Sequence, residues 1–221
     1  MTGQAPVLLF DLDGTLIDSA PDLAGATNDL RASHGLPPLP YDTLRPMVGS
    51  GARGMVGVAF GVTPDDLRFA EFRDAFLARY AERLLDQTQV FAAMAPVLDA
   101  LDAAGFRWGI VTNKAMRFTA PLVEGLGLSA RAAVVIAGDS TPHAKPHPAP
   151  LLEAARRMGV AAAGCIYIGD DHRDIVAGRA AGMATLAAAW GYLGQGEPVH
   201  TWGADGVLSS PADLLQWLEL T

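Results

Sequence analysis

The sequence is poor in cysteine and in lysine. Cys165 is the single cysteine among 221 residues, which excludes an intrachain disulfide and indicates a reducing compartment. The 16 basic residues comprise 14 arginines and two lysines, Lys114 and Lys145, and both lysines lie in polar segments that follow short apolar runs. In a chain that otherwise uses arginine, this placement favours a specific role for a compact ammonium charge.

Positive charge and long apolar runs are also scarce. The net charge of −8 opposes binding to nucleic acid, and a small anionic substrate then requires local cations or a metal. No apolar run approaches the roughly 20 residues that cross a bilayer, and the first residues lack the basic start of a signal peptide. We expect a cytoplasmic protein that binds neither nucleic acid nor a membrane, and that is a monomer or a homodimer.

Short apolar runs alternate with stretches of helical period. The helical stretches include 94–105 and 148–159, where Gly105 and Gly159 are expected to end the helices. This alternation predicts a Rossmann-like, doubly wound parallel sheet, whose ligands bind beyond the carboxyl ends of the strands. The runs that predict strands are 7–10, 108–112, 133–139, 165–171 and, more weakly, 184–191.

One long segment breaks this rhythm. Residues 18–37 and 63–86 have the pattern of amphipathic helices, and the glycine-rich stretch 45–61 separates them. We therefore predict a helical cap domain inserted into an α/β core. The predicted bounds are 1–17 and 87–221 for the core, 18–86 for the inserted domain, and linkers near 16–19 and 86–92.

Polar side chains follow each predicted strand. Asp11 and Asp13 come directly after the first, and two carboxylates so close cannot both stay ionised without a cation nearby. Alone, Asp13 and Gly14 would indicate only a turn. Thr112 and Asn113, which can donate hydrogen bonds to an anion, follow the second strand, and a cation follows the third at Lys145.

A cluster of acids follows the fourth strand. Asp170, Asp171 and Asp174 provide the hard oxygen ligands that suit Mg²⁺. The alternative is that they cap the helix that follows, and at least one of them is expected to do so. Together the strand ends supply a nucleophile, an acid/base, anion donors, a fixed cation and a metal site. These are the requirements of phosphoryl transfer through an aspartyl-phosphate.

The motifs "DLDGTLIDS", "VTN", "KP" and "GDDHRD", in this order and spacing, resemble the four motifs of the haloacid dehalogenase superfamily. The helical insertion resembles the cap domain of that superfamily. The resemblance implies that Asp11 attacks phosphorus and that Asp13 is the general acid and base. It also implies that Thr112 and Asn113 bind the phosphoryl oxygens, and that Lys145 neutralises the nucleophile and the phosphoryl group.

The resemblance further implies a magnesium site and a reaction class. Asp11, the Asp13 carbonyl and Asp170 would hold Mg²⁺, and Asp174 would support them, pairing with Lys145. Dehalogenases have no acid at the position of Asp13, so a phosphatase is favoured. Phosphonate-cleaving members need a cap lysine, which 18–86 lacks. Sugar-phosphate mutases share the acid and stay open as a less favoured class. A phospho-accepting receiver domain is less favoured too, since it is about half this length.

Two groups of phosphatases within the superfamily share features with this chain. The segments "VGSGARGMV" and "GRAAGM" are similar to the phosphoglycolate phosphatase group. "GLPP", "VTNKAMRFTAP" and the tail from Trp190 resemble bacterial N-acetylmuramic acid 6-phosphate phosphatases. The expected substrate is a small phosphorylated metabolite, 2-phosphoglycolate first and N-acetylmuramic acid 6-phosphate as the alternative. Arg45, Gly51 and Arg53 are candidate contacts for its carboxylate, against the exposed position that is ordinary for arginine.

Overall fold

The computed structural model describes residues 5–220, and its centre is a sheet of six parallel strands in the order β5-β4-β1-β6-β7-β8. Every neighbouring pair in this sheet is parallel. The predicted fold class is therefore confirmed, although the sheet gains a sixth strand, β8, that the sequence did not indicate. The strands of the sheet are β1 (Val7–Phe10), β4 (Trp108–Val111), β5 (Val135–Ile136), β6 (Cys165–Gly169), β7 (Ala184–Ala188) and β8 (Gly206–Leu208).

Helices cover both faces of the sheet. Alternate residues of β1 face opposite sides, so that Leu8 and Phe10 join one apolar cluster while Val7 and Leu9 join another. This double coverage explains why the strand sequences are continuously apolar. Gly159, with φ of 70°, ends α7 as predicted. The helices that flank the sheet are α5 (Ala95–Ala103), α6 (Met116–Gly125), α7 (Ala149–Met158), α8 (His172–Ala180) and α9 (Asp213–Trp217).

Four helices between β1 and β4 pack around a third apolar cluster. Within it the rings of Phe60 and Phe72 stack with their centroids 4.1 Å apart. The glycine-rich stretch between the two predicted helices is itself helical, because it contains a 3₁₀ turn (Arg45–Ser50) and then α3. These helices are α1 (Ala20–Ser33), α2 (Tyr41–Leu44), α3 (Gly51–Phe60) and α4 (Phe69–Glu82). Among residues 5–220, no helix is both long and apolar enough to cross a membrane.

The two segments that lead into and out of this helical region form a small antiparallel ribbon. Its strands are β2 (Ile17–Asp18) and β3 (Gln89–Val90), and Ile17 pairs with Val90. Asp22, at the start of α1, binds the segment that leads from α4 back to the sheet. Its carboxylate accepts hydrogen bonds from the backbone N–H groups of Gln87 and Thr88, at 3.0 and 2.8 Å, and from the Thr88 hydroxyl at 2.7 Å.

The hydrogen bonds of the Asp22 carboxylate give a prediction for the stability of the fold. Asp22 is fully buried, so Asp22→Ala leaves three donors without their acceptor and should lower the free energy of unfolding by about 3 kcal/mol. Urea denaturation measures the change. Asp29→Ala is the matched control, because Asp29 pairs with Arg83 at 2.5 Å but is 58% exposed, and its loss should cost less than about 1 kcal/mol. Equal losses in the two variants would contradict the assignment.

Candidate active site

The candidate site lies at the carboxyl edge of the sheet, where three central strands end together. Phe10 of β1 pairs with Ile110 of β4 and with Ile168 of β6, so the residues just beyond these strands share one edge. Asp11 continues from β1, Thr112 from β4, and Asp170 from β6. The register therefore brings together groups that lie far apart in the sequence.

Two glycines allow the backbone to approach Asp170. A Cβ on Gly14 would lie 2.1 Å from Asp170 Oδ2, and Gly14 has a φ of 83°. A Cβ on Gly191 would lie 2.2 Å from the Asp170 Cβ. The Asp170 carboxylate is held by the Thr15 hydroxyl at 2.9 Å and the Tyr192 backbone N–H at 2.8 Å. Any side chain at Gly14 or Gly191 would displace this carboxylate.

Three carboxylates form a buried acidic cluster: Asp11, Asp170 and Asp174 each place one oxygen within 4.8 Å of the others. Burial raises the pKa of Asp11 to about 7, against the opposing charge of Lys145. Burial, with the charges of Asp11 and Asp174, raises the pKa of Asp170 well above its usual value. Asp11 Oδ1 lies 2.9 Å from the Lys145 ammonium group, but among residues 5–220 no donor meets this oxygen with hydrogen-bond geometry. A divalent cation fits this cluster, because it would offset the mutual repulsion and take up that oxygen.

The ammonium group of Lys145 is buried beside the cluster. Its Nζ lies 2.9 Å from Asp11 Oδ1 and 2.7 Å from Asp174 Oδ1, so the predicted pairing with Asp174 is present. It also donates to the Tyr167 hydroxyl at 2.7 Å and to the Val111 carbonyl at 3.0 Å. Burial alone would lower the pKa of Lys145, but the charges of Asp11 and Asp174 outweigh it and raise the pKa. Lys145 is therefore a fixed cation.

The two residues after β4 differ in how they are placed. The Thr112 side chain is buried, and its hydroxyl accepts the Lys114 backbone N–H at 3.1 Å. The Asn113 side chain instead forms two hydrogen bonds with the backbone of Lys145. Its amide nitrogen donates to the Lys145 carbonyl and its oxygen accepts the Lys145 N–H, both at 2.9 Å. The Asn113 side chain thus holds Lys145 in place with its oxygen and one amide hydrogen, and it also lines the cavity; its expected contact with the phosphoryl oxygens stays a prediction.

Asp13 is set apart from the acidic cluster. Its carboxylate lies 3.1 Å from Lys114 Nζ and accepts a hydrogen bond from the Ser19 hydroxyl. No backbone N–H within residues 5–220 donates to the Asp13 carbonyl, which leaves that oxygen open to a cation. Burial acts to lower the pKa of Lys114, but Asp13 and Tyr80 reverse the effect and raise the pKa, so the lysine stays charged.

Asp171 resolves the alternative that the sequence left open for the acids after β6. Its side chain accepts the Arg173 backbone N–H at 2.8 Å and caps α8, while the Asp174 side chain accepts the Asp171 N–H at 3.1 Å. Asp171 also pairs with the Arg173 guanidinium at 2.7 Å. Although burial opposes it, this partner lowers the pKa of Asp171. Asp171 is thus a helix cap and does not belong to the acidic cluster.

A cavity of about 330 Å³ opens between the acidic residues and the helical region. Gly51 lines it, but Arg45 and Arg53 do not. Arg45 instead packs over the Tyr192 ring, 5.0 Å from its centroid, and Arg53 is exposed in a separate depression. The structure therefore does not bring these two arginines to the cavity, because Arg45 is held at the Gly191 carbonyl and Arg53 lies in the other depression.

Residues 8–188 match the family model of the haloacid dehalogenase-like hydrolases. The chain belongs to this family. The resemblance of the four sequence motifs is thereby confirmed.

Relatives of this hydrolase cover nearly its whole length. It is 47% identical to a phosphoglycolate phosphatase of Xanthomonas campestris, over 94% of this chain and 93% of that protein. It is 40% identical to an N-acetylmuramic acid 6-phosphate phosphatase of Pseudomonas aeruginosa, over 96% and 94%. The crystal structure of a predicted phosphoglycolate phosphatase of Haemophilus somnus superposes with a TM-score of 0.84 at 28% identity, covering 98% of this chain and 99% of that one.

Sequence reasoning missed two side chains of this hydrolase's site. Tyr167 lies in the middle of β6 and looks like one more apolar residue of a buried strand, although its hydroxyl donates to the Val111 carbonyl at 2.7 Å. For Lys114 the sequence indicated a specific role but not which one. Its place just beyond the end of β4 was the signal that could have assigned it to the site, where it pairs with Asp13.

Proposed function

We propose that the chain is a Mg²⁺-dependent phosphatase that hydrolyses a small phosphomonoester through an aspartyl-phosphate on Asp11. The observation that carries the proposal is the contact of Asp11 with both a fixed cation, 2.9 Å away at Lys145, and a buried cluster suited to a divalent cation. With a divalent cation bound in that cluster, the two positive charges would keep the Asp11 carboxylate ionised, and a phosphoryl group could approach it without prohibitive repulsion.

In the first step, a carboxylate oxygen of Asp11 bonds to phosphorus while the bond from phosphorus to the ester oxygen breaks. Asp13, in its protonated form, gives its proton to the departing oxygen. Lys145 offsets the negative charge of the nucleophile and of the phosphoryl oxygens. Bound at Asp11, Asp170 and the Asp13 carbonyl, Mg²⁺ would supply further neutralisation and orientation of the phosphoryl group.

In the second step, the Asp13 carboxylate removes a proton from water as the water oxygen bonds to phosphorus. The bond between phosphorus and the Asp11 oxygen breaks, which releases inorganic phosphate and restores both aspartates. Lys114 and Ser19 contact the Asp13 carboxylate and thereby hold it in one position for both proton transfers.

Helices α1 to α4 serve, on this proposal, as the cap over the reaction. They bring Leu23, Phe76 and Tyr80 to the cavity wall, opposite the catalytic aspartates. Apolar side chains there exclude water when substrate is bound, which strengthens the electrostatic interactions inside. The division into a core and a cap at residues 18 and 86 stays part of the proposal.

The charge beside Asp13 favours 2-phosphoglycolate as the substrate. Among residues 5–220, Lys114 Nζ forms one ion pair, with Asp13, so its ammonium group can still donate to another anion. Asp13 must approach the ester oxygen to protonate it, and in 2-phosphoglycolate the carboxylate is two bonds from that oxygen. A group 3.1 Å from Asp13 is therefore within reach of the carboxylate.

The size of the cavity supports N-acetylmuramic acid 6-phosphate as a second candidate. Beyond the phosphoryl group, a two-carbon acid fills about the volume of a few water molecules, ~30 Å³ each. The cavity is about 330 Å³, and its wall includes the rings of Phe76, Tyr80 and Phe118. Such rings suit the apolar face of a sugar.

Comparison of matched substrates tests the substrate assignment. We expect kcat/KM for 2-phosphoglycolate to exceed that for ethyl phosphate, which is the same ester without the carboxylate, by at least ~10-fold. In Lys114→Met this ratio should collapse to within about 3-fold, since the variant removes the charged hydrogen bond. Arg73→Met, on the exposed side of α4 and paired with Asp74, is the control and should preserve the ratio.

Two other outcomes of this comparison would change the assignment. If Lys114→Met slows both esters equally, Lys114 serves Asp13 and does not bind a carboxylate. A kcat/KM for N-acetylmuramic acid 6-phosphate at least ~10-fold above that for 2-phosphoglycolate would make the sugar phosphate the substrate.

A further inference from the structure

Tyr192, in the loop after β7, connects the acidic cluster to the entrance of the helical region. Its backbone N–H donates to Asp170 Oδ2 at 2.8 Å. Its hydroxyl accepts the backbone N–H groups of Ser19 at 2.9 Å and Ala20 at 3.0 Å, and lies 3.0 Å from Asp18 Oδ1. The side chain is buried, at 3% exposed. One residue therefore contacts a candidate metal ligand at its backbone and the first turn of α1 at its hydroxyl.

The residues at the hydroxyl end lie where the chain leaves the sheet for the helices. Asp18 is the last residue of β2, and α1 begins at Ala20. Between them, Ser19 also donates its hydroxyl to Asp13. A change in the backbone conformation of residues 18–20 therefore alters the hydrogen bonds that these residues make with both Asp13 and Tyr192. Hinges of this kind are short segments at the ends of secondary-structure elements.

The backbone end is equally constrained. Gly191 packs directly on Asp170, where a Cβ would lie 2.2 Å from the Asp170 Cβ. Trp190 donates its indole N–H to the Thr15 carbonyl at 3.1 Å, and Thr15 holds the other Asp170 oxygen at 2.9 Å. A shift of the Asp170 carboxylate therefore moves the loop that carries Tyr192.

The helical region also holds this loop. Arg45 lies over the Tyr192 ring, 5.0 Å from its centroid, and donates to the Gly191 carbonyl at 3.3 Å. The Tyr192 ring belongs to the apolar cluster of the helical region and not to the clusters of the sheet. Tyr192 is thus packed with the helices, although its backbone belongs to the sheet side of the molecule.

We propose that Tyr192 is a positioning residue that couples the Asp170 carboxylate to the hinge at residues 18–20. A divalent cation that fixes Asp170 fixes the Tyr192 loop, and the Tyr192 hydroxyl then orders the first turn of α1. Linkage makes the effect reciprocal, so that a hinge held in the closed position favours cation binding. The inference rests on the metal site of the proposed function.

Hydrogen exchange of the Ser19 and Ala20 amides tests the coupling. In the wild-type protein, saturating Mg²⁺ should slow exchange of these two amides by at least ~5-fold. Tyr192→Phe removes the hydroxyl but keeps the ring and the backbone N–H to Asp170. In this variant the effect of Mg²⁺ on the two amides should fall below about 2-fold, while its affinity for Mg²⁺, measured by calorimetry, stays within about 3-fold.

Amides elsewhere in the sheet serve as internal references in the exchange experiment. Amides of β4, such as Ile110, report whether Tyr192→Phe has loosened the whole fold, and their exchange should be equal in the two proteins. If Mg²⁺ binds and slows Ser19 and Ala20 equally in both, the coupling is wrong while the metal site stands. If calorimetry detects no Mg²⁺ binding to the wild-type protein, the metal site falls and the coupling falls with it.

Discussion

Asp11→Asn is expected to abolish phosphatase activity, with kcat for p-nitrophenyl phosphate at least ~10⁴-fold below wild type. An amide of the same shape cannot form the bond to phosphorus, and no second carboxylate can replace it at this position. Asp170 and Asp174 are buried in the cluster, and Asp13 is turned toward Lys114. Steady-state assays with purified variant measure the loss.

The loss should occur without unfolding. Asn preserves the volume of Asp11 and removes one of three buried like charges, so the free energy of unfolding should not fall by more than about 1 kcal/mol. Asp29→Asn, at an exposed position of α1, is the matched control and should retain wild-type kcat. Turnover by Asp11→Asn above ~1% of wild type would remove Asp11 as the nucleophile.

Asp170→Asn is expected to have the second largest effect. It removes a charged oxygen from the cluster of three carboxylates, so the dissociation constant for Mg²⁺ should rise by at least ~100-fold and kcat/KM should fall by at least ~10³-fold. Calorimetric titration with Mg²⁺ measures the affinity directly. Chelation with EDTA should silence the wild-type enzyme, and added Mg²⁺ should restore it.

The neighbouring acid provides the control for this variant. Asp171→Asn changes the adjacent residue, whose side chain caps α8 and pairs with Arg173 but lies outside the cluster. Asn can still cap α8, so the variant loses only the ion pair with Arg173; it should lower stability by less than about 1 kcal/mol and leave Mg²⁺ affinity within about 3-fold. Equal loss of affinity in both variants would contradict the assignment of the metal site to Asp170.

The place of the site could be predicted from the sequence because it depends on strand ends. Parallel strands that pair through Phe10, Ile110 and Ile168 must deliver their next residues to one edge. Each strand is a continuous apolar run, so its end is visible as the first polar residue. The positions of Asp11, Thr112 and Asp170 follow from this regularity, whereas Lys145 lies in the loop well beyond β5 and Asp174 lies in α8.

Features that depend on contacts between distant segments could not be predicted in this way. Three glycines in the ten residues of α3 argue against a helix, yet Gly54 packs where a Cβ would lie 2.8 Å from the Met47 carbonyl. Close packing thus overrides the helix propensity. The β2–β3 ribbon has two residues in each strand, too few to show alternation.

The orientation of side chains in the helical region α1 to α4 could not be predicted either. A glycine-rich turn flanked by arginines suggested a carboxylate site at Arg45 and Arg53. Because this segment is helical, Arg45 reaches the Gly191 carbonyl at 3.3 Å instead of the cavity. Lys114, which follows β4, lies beside Asp13 and lines the cavity, where we propose that it binds the carboxylate that the arginines were expected to bind.

The central claim is that phosphate is transferred to Asp11, and trapping of that intermediate tests it most directly. Borohydride added during turnover of 2-phosphoglycolate or p-nitrophenyl phosphate reduces an aspartyl-phosphate to homoserine, which peptide mass spectrometry locates. We predict homoserine at position 11 only when both substrate and Mg²⁺ are present. Asp13→Ala treated without substrate should contain none. Homoserine at another aspartate, or unmodified Asp11 in enzyme that is turning over, would contradict the account.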